Sequence, residues 1–444
     1  MNRTARLLAV AALGWGSMIL VRGTVVDAQY AARPTAGVPT FTKDVAPILF
    51  KNCTQCHRPG EIAPMSLLTY EDARPWAKSI RDEVSDGTMP PWHADAPHGT
   101  FLNDRSLTET EKETITRWAS GGAPKGDPKD LPPAPVYTDG WSLGKPDVVF
   151  EMTEPYKLPA EGTIQYEYFY IPTSFTEAKW VKSIEIRPGN RQVVHHALMY
   201  YRAAPDMQRT PVFRQDPMVA RTPPTDKTAG QSLSPRRQGL PPQRLLATYA
   251  PGTASQIAPE GTAFRLEPGG IIELQMHYTT RGEATTDRTK VGLIYATEPA
   301  PKELRPGQFI NGSFTLPAGA GDVEVKADAE FQQDATVYGI FPHTHLRGKK
   351  WDYKMVLPDG TSKTILSVPK YDFNWQTYYM FKEPLHVPKG AKIVATAWYD
   401  NSAANKSNPD PKTDVKWGDQ TWEEMQYTGV LFTPSQPPTP IVKQ

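Results

Sequence analysis

From Phe41 the apolar positions fall at helical spacing. "FTKDVAPILFKNC" puts Phe41, Val45, Ile48 and Leu49 on one stripe and predicts a helix running into Cys53. "LTETEKETITRWASGG" predicts a second helix, with Thr108 as N-cap, acids in the first turn and Gly121 and Gly122 at the end. Its Ile115 and Trp118 face inward. After Lys145 the period drops to two. "GGIIELQMHYTT" alternates, with Ile272, Leu274, Met276 and Tyr278 on one face and His277 on the other. "VEVKADAEF", "TVYGIFPHTHL" and "AKIVATAWYD" read as strands, punctuated by the turns "LPDG" and "VPKG". Between the two regimes, Ala123 to Trp141 is rich in Pro, Gly and Asp, has no period and reads as a stiff linker. A Pro- and Arg-rich interval from Arg202 to Arg244 reads as a long, solvated surface loop.

These patterns predict a multidomain chain: a small all-α domain over 40–126, a Pro-rich linker over 127–144, and two all-β sandwiches over 145–297 and 298–434. The 45 prolines in 444 residues suit strands, turns and loops better than long helices. A net charge of +1 gives no reason to expect a nucleic-acid partner. At the N-terminus, Arg3 and Arg6 precede the apolar run Leu7 to Val21, and Val26 and Ala28 offer a cleavage site before Gln29. Residues 1–28 therefore read as a signal peptide, the run being shorter than the ~20 residues of a membrane span. The expectation is a periplasmic or secreted protein with no stable membrane span after cleavage. An uncleaved anchor is the alternative.

The chemistry begins at "KNCTQCHRPG". Cys53 and Cys56 are the only cysteines, and His57 follows at once. A zinc site needs further ligands, a redox pair does not need the histidine, and a disulfide across two residues is strained. Cys-x-x-Cys-His is the attachment sequence of c-type haem, with His57 as the proximal ligand. Short helices around such a turn resemble a small cytochrome c domain. Met89, in the Pro-flanked "DGTMPPWHAD", is the candidate sixth ligand. Met65 stands too close behind the motif, and His93 or His98 would give bis-histidine ligation.

Of the nine histidines, five remain in an ordered pattern: His195 and His196, His277, then His343 and His345. His343 and His345 are two apart on a predicted strand and can share one metal. His195 and His196 can do so only if their strand is bulged or ends there. Met425, in "WGDQTWEEMQYTGVLF", is ordinary core packing unless it lies beside His343 and His345. There it would complete a soft site suited to copper. Zinc is the alternative for three histidines.

In order, "VVHHALMYY", "LQMHYTT", "HTHLRGKKW" and "EEMQYTGVLF" resemble the copper type II, ascorbate-dependent monooxygenases, over about residues 145 to 434. The resemblance implies two jelly-roll sandwiches and two copper ions. His195, His196 and His277 would hold the copper that supplies an electron. His343, His345 and Met425 would hold the one that activates O2 to hydroxylate a small organic substrate. The family's peptide hydroxylase has an arginine two residues before His-Thr-His and a tyrosine four after the methionine. Here these are Phe341 and Gly429, against a peptidyl-glycine substrate. Phe341, Trp351, Tyr378 and Tyr427 could instead line an aromatic pocket or simply pack the core. The fused haem would replace ascorbate as direct donor, or relay electrons from a periplasmic donor. The alternative function is a non-catalytic haem and copper electron-transfer or copper-binding protein on the same fold.

Overall fold

The computed structural model describes residues 37–61, 63–137, 140–203, 207–208, 213–215, 243–250, 255–297, 301–435 and 439–440. The signal peptide expected over 1–28 lies outside them, as does most of the Arg202 to Arg244 interval.

The helical stripe forms as a π-turn, Phe41–Val45, that continues as Ala46–Asn52. Phe41, Val45 and Leu49 are buried, and the cysteine turn follows directly. Thr108 caps Glu109–Ser120 as its sequence predicts. Its hydroxyl accepts from Glu111 N at 3.2 Å, and the Glu111 carboxylate accepts from Thr108 N at 2.8 Å. Ile115 and Trp118 are fully buried, and together with Ala77, Ile80 and Val84 of Ala77–Ser85 they close a first core.

From Val148 onward the chain is strand. One sheet is built from Val148–Glu151, Lys290–Tyr295, Lys179–Arg187 and Thr262–Leu266, and faces another of Glu167–Pro172, Ile271–Tyr278, Val194–Arg202 and Gln243–Tyr249. The inward row Ile272, Leu274, Met276 and Tyr278 packs between them in a second core. Arg305–Ile310, Tyr427–Pro434, Ala335–His343 and Tyr379–Val387 form one sheet of the C-terminal half. Ser362–Val368, Gly348–Val356, Lys392–Tyr399 and Val323–Phe331 form its opposing sheet, around a third core. The strand pairs within all four sheets are antiparallel, apart from one short parallel pair at Thr262–Leu266. The result is mostly β, with sandwich-like sheets and a few short helices.

The three cores are tied together, and Pro39–Gln444 forms one compact unit. The C-terminal part of the Pro-rich segment is fastened to both regions that it joins. The Tyr137 hydroxyl meets Thr54 Oγ1 at 2.5 Å, and Ser142 and Leu143 donate to the Glu185 carboxylate. Between the helices Ala77–Ser85 and Glu109–Ser120, Trp92 and Phe101 pack into the third core, with ring centroids 5.1 and 5.6 Å from that of Tyr379. No helix among the described residues is long and apolar enough to cross a membrane.

Candidate metal centres and the cysteine-turn cavity

The strand Val194–Arg202 pairs with Ile271–Tyr278 so that His277 faces His196, while Tyr278 faces Val194. His195 is the extra residue of a bulge at the strand's start, which is how adjacent side chains turn to one side. One ring nitrogen from each of His195, His196 and His277 lies within 4.8 Å of the others. The Nδ1 atoms converge: His196 Nδ1 is 3.2 Å from that of His195 and 3.4 Å from that of His277. Burial pushes all three imidazoles down, His277 to about 3, so they stand neutral with lone pairs to offer. That donor set fits copper or zinc.

His343 ends its strand and His345 lies in the turn beyond it, a difference from the strand expected for both. Their rings nevertheless stand 5.2 Å apart. Each Nδ1 is already engaged, by Gln376 Oε1 at 2.8 Å for His343 and by the Glu423 carbonyl at 3.2 Å for His345. Nδ1–H donates in both, which leaves the two Nε2 lone pairs for a metal. The turn is held from Met425's side. The buried Glu424 carboxylate accepts from the backbone N–H groups of His345, Arg347 and Met425. Tyr399 donates to the Met425 carbonyl at 2.7 Å. These backbone contacts bring Met425 to the turn that carries His343 and His345, and two imidazoles with its thioether would make a soft donor set suited to copper.

Phe373 stands between the two groups. Its ring centroid is 5.7 Å from His195, 5.9 Å from His196 and 5.9 Å from His345. Tyr166 crosses the same boundary, with its ring 5.0 Å from His277 and its hydroxyl 3.0 Å from Thr421 Oγ1.

The cysteine turn opens onto a cavity of about 670 Å³. Cys53, Cys56 and His57 line it along with Leu67, Ile80, Val84, Met65 and Met89. Both thiols are free, and burial pushes that of Cys53 up to about 12. His57 Nδ1 lies 3.3 Å from the Met65 carbonyl, which fixes its proton there and leaves Nε2 for a metal. Lys51 and Arg105 also line the space and suit the two carboxylates of a haem. Thiols, an oriented imidazole, an apolar wall and methionines in the lining fit a c-type haem. His93 lines a different cavity, of about 510 Å³, beside Lys349, Tyr371 and Phe373, and His98 lines neither.

Residues 322–426 match the family model of the copper type II ascorbate-dependent monooxygenase, C-terminal domain. Copper is the metal expected of that family, and its chemistry is that of a copper monooxygenase. The matched segment carries His343, His345 and Met425. No curated protein matches the chain. Solved structures with partial likeness include the major capsid protein P2 of bacteriophage PM2, with 8% identity over 65% of this chain and 97% of that one at a TM-score of 0.28. Another is allantoicase of Saccharomyces cerevisiae, with 8% identity over 63% and 80% at a TM-score of 0.17.

Local packing accounts for Gly429, one of the two departures from the peptide hydroxylase. A Cβ on Gly429 would stand 3.1 Å from Phe341 Cβ and 3.1 Å from the Tyr378 hydroxyl oxygen. Phe341 and Tyr378 therefore fill the space that a larger residue at 429 would need, and Phe341 stacks on His343. Trp351 does not belong with them: it is buried in the third core, stacked on Tyr353 at 5.5 Å. Sequence reading missed Phe373, Asn374, Gln376 and Glu424. The one signal for the first three is an amide-bearing run, "DFNWQTYY", set among aromatics.

Proposed function

We propose that this chain is an extracytoplasmic copper-dependent monooxygenase that hydroxylates an organic substrate with O2, its electrons arriving through a covalently attached c-type haem. The observation that carries the reading is that His195 belongs to two places at once. It is a member of the three-histidine group and part of the wall of the cysteine-turn cavity. The family match brings copper-monooxygenase chemistry to the neighbouring group.

In this reading Cys53 and Cys56 hold the haem covalently, with His57 and Met89 on its two faces. His195, His196 and His277 hold one copper, and His343, His345 and Met425 the other, in two jelly-roll sandwiches. Two imidazoles and a thioether would hold copper as Cu(I) and supply O2 reduction, and a haem held by Cys53, Cys56 and His57 would supply electrons one at a time. The chain's part is orientation and exclusion of water. Gln376 and the Glu423 carbonyl hold the two imidazoles by their Nδ1–H groups, and Glu424 fixes the turn that carries them. Phe341, Tyr378 and Tyr427 give the wall beside His343 an aromatic rather than cationic character, which suits a substrate without a carboxylate at that position. The burial of His343 and His345, 8% and 1% exposed, favours a second reading, an electron-transfer or copper-binding protein that hydroxylates nothing.

A single turnover tests the proposal. Copper-loaded protein, fully reduced without oxygen, is mixed with O2 while the ferrous haem band is followed, beside Met425→Ala and copper-free samples. Haem oxidation that is fast only with copper and Met425 supports one electron path to the oxygen site. Equal rates in all three would leave the second reading in its place.

A further inference from the structure

We infer that Asn374 is the positioning residue that joins the cysteine-turn cavity to the three-histidine group. The inference rests on the proposed function, with haem in that cavity and copper at those histidines. Three cavity-lining residues come from outside the helical region: His195, Asn374 and Trp375. His195 spans the boundary with its ring. Its Nδ1 faces His196, and its Nε2 lies 3.0 Å from Asn374 Oδ1.

The amide of Asn374 cannot turn over freely. Asn374 N and Nδ2 both donate to Asp372 Oδ1, at 2.8 and 2.9 Å, so Oδ1 is the atom presented to His195. A carbonyl oxygen only accepts, so the His195 proton sits on Nε2 and its lone pair on Nδ1. Phe373 holds the ring from its face, at 26° between the planes. Asp372, Asn374 and His195 thus form a short chain that sets one tautomer and one orientation. Glu61 also pairs with both Arg58, next to His57, and Arg191, shortly before His195. The cavity and the bulge are therefore fastened together twice.

The redox step this serves moves one electron: haem iron goes from Fe(II) to Fe(III), Cu(II) becomes Cu(I), and no bond forms or breaks. His195 is the residue through which the two sites adjoin, and Asn374 governs how its ring is aimed.

The test uses the full holoprotein and two variants, Asn374→Leu, which removes the acceptor, and Asn374→Asp, which keeps one. The haem is photoreduced anaerobically with the copper oxidised. Its reoxidation is followed optically, and the Cu(II) signal by EPR, with copper content measured in parallel. Asn374→Leu is expected to slow haem-to-copper transfer by about 10- to 100-fold with both coppers retained. Asn374→Asp, which keeps the acceptor but sets a second carboxylate against Asp372, is expected to slow transfer less than Asn374→Leu does. Wild-type transfer in Asn374→Leu would overturn the inference and leave the proposed function standing. So would loss of copper from the three-histidine group, which would make Asn374 a support for the metal instead, or equal slowing in both variants. If the unsubstituted protein carries haem and copper but passes no electron between them, the proposed function fails first and takes the inference with it.

Discussion

The histidines show what burial does to a single residue. Removal from water pushes His277 down to about 3 and His343 to about 4, and holds His196 and His345 well below their ordinary value. In the copper-free protein these imidazoles stay neutral on acidification while the unfolded chain takes up protons from pH ~6.5 downward. The unfolded state then binds more protons, so stability falls as pH drops from ~6.5 toward the folded values, by up to ~1.4 kcal/mol per pH unit for each group. Glu424 runs the other way. Burial raises it to about 7, so it favours the folded state as pH falls through that value, but it is one group against several. Denaturant midpoints of copper-free protein should drop clearly between pH 7 and pH 5, and a flat midpoint would contradict neutral burial. These histidines were legible in the sequence because their type and order are rare. Asn374, Gln376 and Glu424 were not, since amides and acids are common and only the folded chain shows what they touch.

At the level of elements, two local irregularities make the metal groups. The bulge at His195 was foreseeable only as a condition: without it, adjacent side chains would face apart. The turn after His343 depends on Gly348. A Cβ there would stand 1.8 Å from Thr344 Oγ1 and 2.6 Å from Thr344 Cβ, inside the turn that places His343 and His345. Gly348→Ala is expected to cost about 1–3 kcal/mol by overpacking and to lower copper content at that site selectively. Copper titration followed by EPR checks this. Two coppers bound as tightly as before would show that the turn yields without moving its histidines. The helix at Glu109–Ser120 and the row from Ile272 to Tyr278 followed their sequence patterns closely, because caps and strict alternation are local signals. The side of a sheet on which a loop folds back is not local, and the run after Ser362–Val368 gave no such sign.

Across the whole molecule, the aromatic cluster of Trp92, Phe101 and Tyr379 and the contacts of Tyr137 and Glu185 bind three cores into one unit. Copper-free protein is therefore expected to melt in one calorimetric transition over Pro39–Gln444. A helical region melting separately would mean that these contacts are too weak to couple it. Sequence periodicity marked where helix gives way to strand, but periodicity reports which face is buried and never against what, so the joins between cores were invisible to it.

The run Asp372–Gln376 belongs by chain to the C-terminal sandwich, yet it holds His195 through Asn374, His343 through Gln376 and closes the cavity with Trp375. A displacement of one sandwich from the other by more than the length of a hydrogen bond pulls Asn374 off His195. The same movement takes Trp375 from the cavity wall. Such a chain behaves like a fuse: an opening wide enough to flood the metal groups with water is also the one that breaks their link to the cysteine turn.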